Sequence, residues 1–101
     1  MQKFLFVSRH QPTSEQVDLA AMKNVSLIHV GDLDAFADDL VSQIEKLDNE
    51  HRVDGIVSVH PRIALAAWSL GLRHGSFRNV NRAPVGAPPQ FSTDLFKIDK
   101  P

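Results

Sequence analysis

Residues 3–22 read KFLFVSRHQPTSEQVDLAAM, an apolar run, a polar corner and a helix-starting signal in direct succession. Lys3 to Ser8 has the pattern of a short strand buried on both faces. Arg9-His10-Gln11-Pro12 ends it. Thr13 with Gln16 then makes a capping box, opening a helix over about Ser14 to Met22 with Val17, Ala20 and Ala21 inward. A buried strand that leads at once into a helix is the first half of a parallel crossover.

The alternation continues along the chain. Val25 to Val30 (VSLIHV) reads as a second strand, closed by Gly31-Asp32. Phe36, Leu40, Val41, Ile44 and Leu47 fall on one helical stripe, predicting a second helix from about Asp34 to Leu47. Asp54-Gly55 introduces a third strand, Ile56 to Val59, and His60-Pro61 starts a third helix with proline at its first position. That helix (RIALAAWSLGL) is apolar on two sides, Ile63, Ala66, Ala67 and Leu70 on one and Leu65, Trp68 and Leu72 on the other. One stripe packs on the sheet. The other needs a cover, either a second copy of the chain in a homodimer or the chain's own C-terminal segment. Gly75 to Val80 can form a fourth strand. NRAPVGAPPQ (81–90) is a loop, and Phe91 to Ile98 is a final strand that can pair antiparallel with the fourth. The order β-α-β-α-β-α-β-β predicts a three-layer Rossmann-like or flavodoxin-like α/β domain, with a mainly parallel sheet of about five strands and three helices.

Composition bounds the function. A chain of 101 residues suits one domain, and hydrophobic and charged fractions of 43% and 23% are ordinary for a globular protein. The absence of cysteine excludes a disulfide framework, a thiolate metal site and a cysteine nucleophile. The apolar run Phe4–Val7 is too short for a signal-peptide core or a membrane span, so the expectation is a cytoplasmic protein with no membrane partner. A net charge of −1 argues against binding long nucleic acid. Seven acids lie between Asp32 and Glu50, the pattern of a solvated helix face.

Ligands of open α/β sheets bind outside the carboxyl ends of the strands. There this sequence puts Ser8, Arg9 and His10, then His29 and Asp32, then Ser58, His60 and Arg62, and last Arg78, Asn79, Asn81 and Arg82. Three of the five histidines thus end the first three strands. Free N–H groups at the helix starts after Pro12 and at Pro61 favour an anion, and arginine forks suit phosphate. The candidate ligand-binding set is Ser8, Arg9, Asp32, Arg62, Asn79, Asn81 and Arg82. His10 and His60 are the candidate acid and base of a phosphoester reaction. Taken singly, each histidine has a structural alternative: His10 ending a strand, His60 capping a helix, His29 packed. The chain contains no G-x-G-x-x-G, no Walker A and no G-x-S-x-G, so no dinucleotide cofactor is expected. No standard zinc spacing occurs either, although His10, His29, Asp32 and His60 could meet in space, and no metal is expected.

The opening VSRHQPTSEQ resembles the strand-end segments of small CRISPR-associated Rossmann-like proteins proposed as ring nucleases. Those carry an Arg-His or Ser-His segment, then proline and a helix beginning like PTSEQ. The stretch VHPRIALAAWSLGLRHGSF, followed by NVNRAP and PPQFSTDLFKI, is similar in layout, and the likeness runs in order over most of the chain through short, loosely spaced motifs. The resemblance implies a cyclic oligoadenylate ligand, bound across a dimer, and metal-independent attack of a ribose 2′-hydroxyl on the adjacent phosphate. Arg9 and His10 match the strand-one motif, and His60 with Arg62 occupy the strand-three end. A complete catalytic set is not matched, which leaves binding without cleavage open.

Two other readings stand beside this one. The first is a non-enzymatic interaction module from a mobile element, docking through the Leu65, Trp68 and Leu72 stripe. The second is a small acyl- or phosphoryl-group hydrolase using Ser8.

Overall fold

A computed structural model describes residues 1–99, Phe91 by its backbone alone. Its elements are β1 (Gln2–Val7), α1 (Ser14–Met22), β2 (Val25–Gly31), α2 (Leu40–His51), β3 (Gly55–Val57), α3 (Pro61–Ser69), β4 (Arg73–Asn81) and β5 (Phe91–Asp99). The sheet order is β2-β1-β3-β4-β5, with the first four strands parallel and β5 antiparallel to β4. This is the expected α/β architecture, including the antiparallel last pair. No described helix is long and apolar enough to cross a membrane.

The alternation of β1 builds two cores. Leu5 and Val7 face α2 and α3 with Ile44, Ile56, Ile63 and Ala67. Phe4 and Phe6 face the other way, with Ala20 of α1, Val25, Val57 and Phe96. The chain leaves β1 towards one edge of the sheet and returns across it to β3. Right-handed crossovers therefore put α1 on one face and α2 and α3 on the other.

α1 begins with the expected capping box: Gln16 N–H donates to Thr13 Oγ1 at 3.1 Å, and Thr13 N–H to Gln16 Oε1 at 3.0 Å. Of its three residues expected inward, Ala20 is buried, whereas Val17 and Ala21 are exposed.

The second helix departs most from expectation. It starts at Leu40 rather than Asp34 and runs on to His51. Asp34 Oδ1 takes the N–H of Phe36 at 2.9 Å, and Arg62 Nε donates to the Ala35 carbonyl at 2.8 Å. The second bond takes the carbonyl that a helix would offer to the Asp39 N–H, and Ala37 and Leu40 bond back only three residues, to the Asp34 and Ala37 carbonyls, so 34–39 stays a looped segment of turns. Phe36 consequently lies outside at 69% exposure.

α3 ends at Ser69 because Gly71 takes a left-handed φ of 76°. Leu72 N–H then donates to Ala67 O and Gly71 N–H to Trp68 O, the Schellman pattern. That reversal turns Leu72 into the core. Leu65 is 61% exposed, Trp68 half-buried and Leu72 buried, so the three do not form one exposed stripe.

Candidate functional site

β1 and β3 are neighbours whose chains depart in opposite directions, which makes their carboxyl ends the switch point of the sheet. A cleft opens there on each face. The one on the α1 side measures about 340 Å³, small for a ligand site but within the usual range. Ser8, Arg9 and His10 wall it from the end of β1, Asp32 from beyond β2, Ser58 from beyond β3 and Asn79 from β4. Gln16 of α1, Phe6 and Phe77 line it too, with three valines. The cleft on the α3 side, about 500 Å³, shares Arg9, Asp32 and Ser58 and adds His60 and Phe36.

Five of the sequence-selected residues, Ser8, Arg9, His10, Asp32 and Asn79, thus gather on the α1-side cleft. Arg9 Nε donates to Asp32 Oδ2 at 3.3 Å, with the two side chains 82% and 53% exposed. An ion pair this exposed is worth at most about 1 kcal/mol, so Arg9 is readily turned to another anion. His10 donates its backbone N–H to Ser8 Oγ at 3.2 Å, and its side chain is exposed beside the cleft. His29 Nε2 lies 2.7 Å from the Ser8 carbonyl oxygen. A carbonyl only accepts, so His29 is the donor and fixes the corner after β1, a structural role.

The other selected residues are used elsewhere. His60 Nδ1 accepts the N–H of Arg62 at 3.1 Å and caps α3, while its ring meets that of Phe36 edge-on with centroids 5.2 Å apart. His60 lines the α3-side cleft and His10 the α1-side cleft, so the two histidines do not face one cleft. Arg62, bonded to the Ala35 carbonyl, lies over the Phe36 ring at 5.1 Å and lines neither cleft. Asn81 Oδ1 accepts the N–H groups of Ala83 and Gln90, closing the β4–β5 loop, and Arg82 Nε donates to Ser92 Oγ at 3.0 Å. Both lie outside the two clefts.

The sequence did not reveal a polar relay that crosses three strands. Ser58 Oγ is 2.7 Å from His74 Nε2, and His74 Nδ1 is 3.0 Å from Asp99 Oδ2. Ser58 and His74 are 4% and 5% exposed. Ser58 at a strand end was legible, whereas β4 begins at Arg73 and takes in His74, which the 75–80 strand read from the sequence left out. Their meeting depends on the registers Ile56↔His74 and His74↔Asp99, which no local pattern encodes.

Among the described residues, no three His, Asp or Glu side chains converge in a way that could hold a metal ion. No protein-family model matches the chain, and no curated protein matches it either.

Proposed function

We propose that the chain binds a nucleotide or phosphate ligand in the α1-side cleft, and that this ligand is a cyclic oligoadenylate of the kind CRISPR-associated ring nucleases open. The observation that supports this best is the gathering of Arg9, His10 and Asn79 around Phe6 and Phe77 at the β1/β3 switch point. It joins a fork for phosphate, an imidazole and aromatic walls next to the start of α1. The helix dipole there favours an anion. In this reading Arg9 exchanges its weak bond to Asp32 for a phosphate.

His10 takes the proton of a ribose 2′-hydroxyl. The freed oxygen attacks the adjacent phosphorus and expels the 5′-oxygen, which regains a proton from solvent and leaves a 2′,3′-cyclic phosphate. A cleft of about 340 Å³ suits a single nucleotide unit. A cyclic oligomer is therefore shared between two copies of the chain. The protein acts in the cytoplasm.

The test is a thermal-shift titration with cyclic tetra- and hexa-adenylate, followed by chromatography of the products with and without chelator. Ligand at a hundredfold excess over Kd stabilises the fold by about 2.7 kcal/mol, which raises Tm by roughly ten degrees in a domain of this size. Arg9→Ala removes the shift, and His10→Ala retains binding but loses cleavage. Folded protein that neither shifts nor cleaves would end this reading.

A second reading, an interaction module, is favoured by one observation. Leu65 and Val41, both exposed, line an open groove between α2 and α3. The occupant in that reading is a host protein that docks on α3, and the chain itself does not self-associate there.

A further inference from the structure

Strand alternation sets Ser58, Ile56 and His74 on the face of the sheet that α3 covers, because Ile56 belongs to the α2/α3 core and pairs with His74. Asp99 pairs with His74 on the next strand. A third cleft, of about 360 Å³, opens over these residues beside α3. Ser58, His74 and Asp99 all line it, with Trp68 and Ala64 of α3 as apolar wall.

We propose that Ser58, His74 and Asp99 form a second reaction centre, adjoining the nucleotide cleft at Ser58 but opening on the α3 side, in which Ser58 is a nucleophile towards small uncharged acyl esters. Asp99, as a carboxylate, only accepts, so a neutral His74 donates Nδ1–H to it and keeps Nε2 to receive the Ser58 proton. That is the order of groups that activates a serine hydroxyl. Ser58 stands in the turn from β3 into α3, and the next two N–H groups, of Val59 and His60, have no hydrogen-bond partner among the described residues. The N–H following such a serine is a donor for an oxyanion. The Asp99 carboxylate disfavours an anionic substrate, which separates this cleft from the one that Arg9 serves.

In the reaction Ser58 Oγ bonds to the ester carbonyl carbon as its proton passes to His74 Nε2. The tetrahedral intermediate collapses, the carbon–oxygen bond to the alcohol breaks, and the alcohol leaves with that proton. Water then attacks the acyl-serine and gives a proton to His74. The acid departs, and Ser58 recovers its hydrogen.

The test uses the full chain and an alkyl fluorophosphonate, which forms an Oγ–P bond and expels fluoride without need of turnover. Intact mass and peptide mapping should show one adduct per chain, on Ser58. The adduct disappears in Ser58→Ala and persists in Ser42→Ala, a serine on the exposed face of α2. Asp99→Asn, checked for folding by circular dichroism, slows labelling by about a hundredfold or more, since the ring loses its orienting acceptor. An unlabelled Ser58 in folded wild-type protein overturns the proposal, as does labelling at an unchanged rate in folded Asp99→Asn. Either result leaves a buried hydrogen-bonded relay that joins β3, β4 and β5. Both outcomes are independent of whether cyclic oligoadenylate binds.

Discussion

Gly55 lies against the ring of Phe4, its register partner on β1. A Cβ added there would stand 2.6 Å from Phe4 Cε2 and 2.8 Å from the Arg73 carbonyl oxygen. Neither neighbour gives easily, because Phe4 is fully buried and meets Phe96 edge-on at 6.2 Å. Gly55→Ala is therefore expected to destabilise the fold by about 1–3 kcal/mol, the usual cost of overpacking, and to lower the urea midpoint. An unchanged midpoint would contradict this packing. Asp54-Gly55 was legible as the start of a strand, but the close approach of the ring was not. The same limit applies to Ser58 and His74. Ser58 at a strand end was readable, and its neighbour across the sheet was not, because parallel register is set by packing over long sequence separations.

Elements were legible where a single local signal governs them. The capping box of α1 and the proline at the start of α3 are such signals, and both helices begin where these place them. The start of α2 was misplaced because the apolar stripe continues through Phe36, while Arg62 takes the Ala35 carbonyl that a helix there would use. The β4–β5 pair offers an element-level test. Its register shifts between Arg78 and Asn79, opposite Leu95 and Thr93, which leaves Asp94 unpaired in the ladder. Arg78 reaches across and grips both oxygens of Asp94, at 2.9 and 2.8 Å.

The hydrogen bonds from Arg78, then its charge, hold the Asp94 carboxyl below its ordinary value of 3.8. A depressed carboxyl contributes stability that is complete above the unfolded-state value and is lost as pH falls through the lower folded one. Wild type is thus expected to lose more stability than Asp94→Asn on acidification below about pH 4. The two curves should converge at the acid end. The effect is small, because Arg78 is largely exposed. Parallel curves in a pH series of urea melts would show that the pair does not hold the bulge.

At the scale of the molecule, the alternation of strands and helices defined the architecture, and the crossover rule then located the edge where polar residues collect. Ser8, Arg9, His10 and Asp32 meet there because each follows a strand at or beside the switch point, and Asn79 joins them from within β4, which runs on past the end of β3. Arg62, Asn81 and Arg82 were chosen by the same logic and lie elsewhere, since packing over Phe36, closure of the β4–β5 loop and a hydrogen bond to Ser92 claimed them first. The exposed Leu65 and Val41 bear on assembly. If a second copy covers them, Leu65→Asp should convert a dimer to a monomer in sedimentation velocity. A wild type that is monomeric at high concentration would leave that groove without a self-partner.

Amide chemical-shift mapping with cyclic tetra-adenylate locates the bound ligand on the fold. Shifts are expected to concentrate at Ser8–His10, Gln16, Ser58–Val59, Phe77 and Asn79 and to vanish in Arg9→Ala. Shifts confined to the 81–90 loop, or none at saturating ligand, would contradict binding in the α1-side cleft.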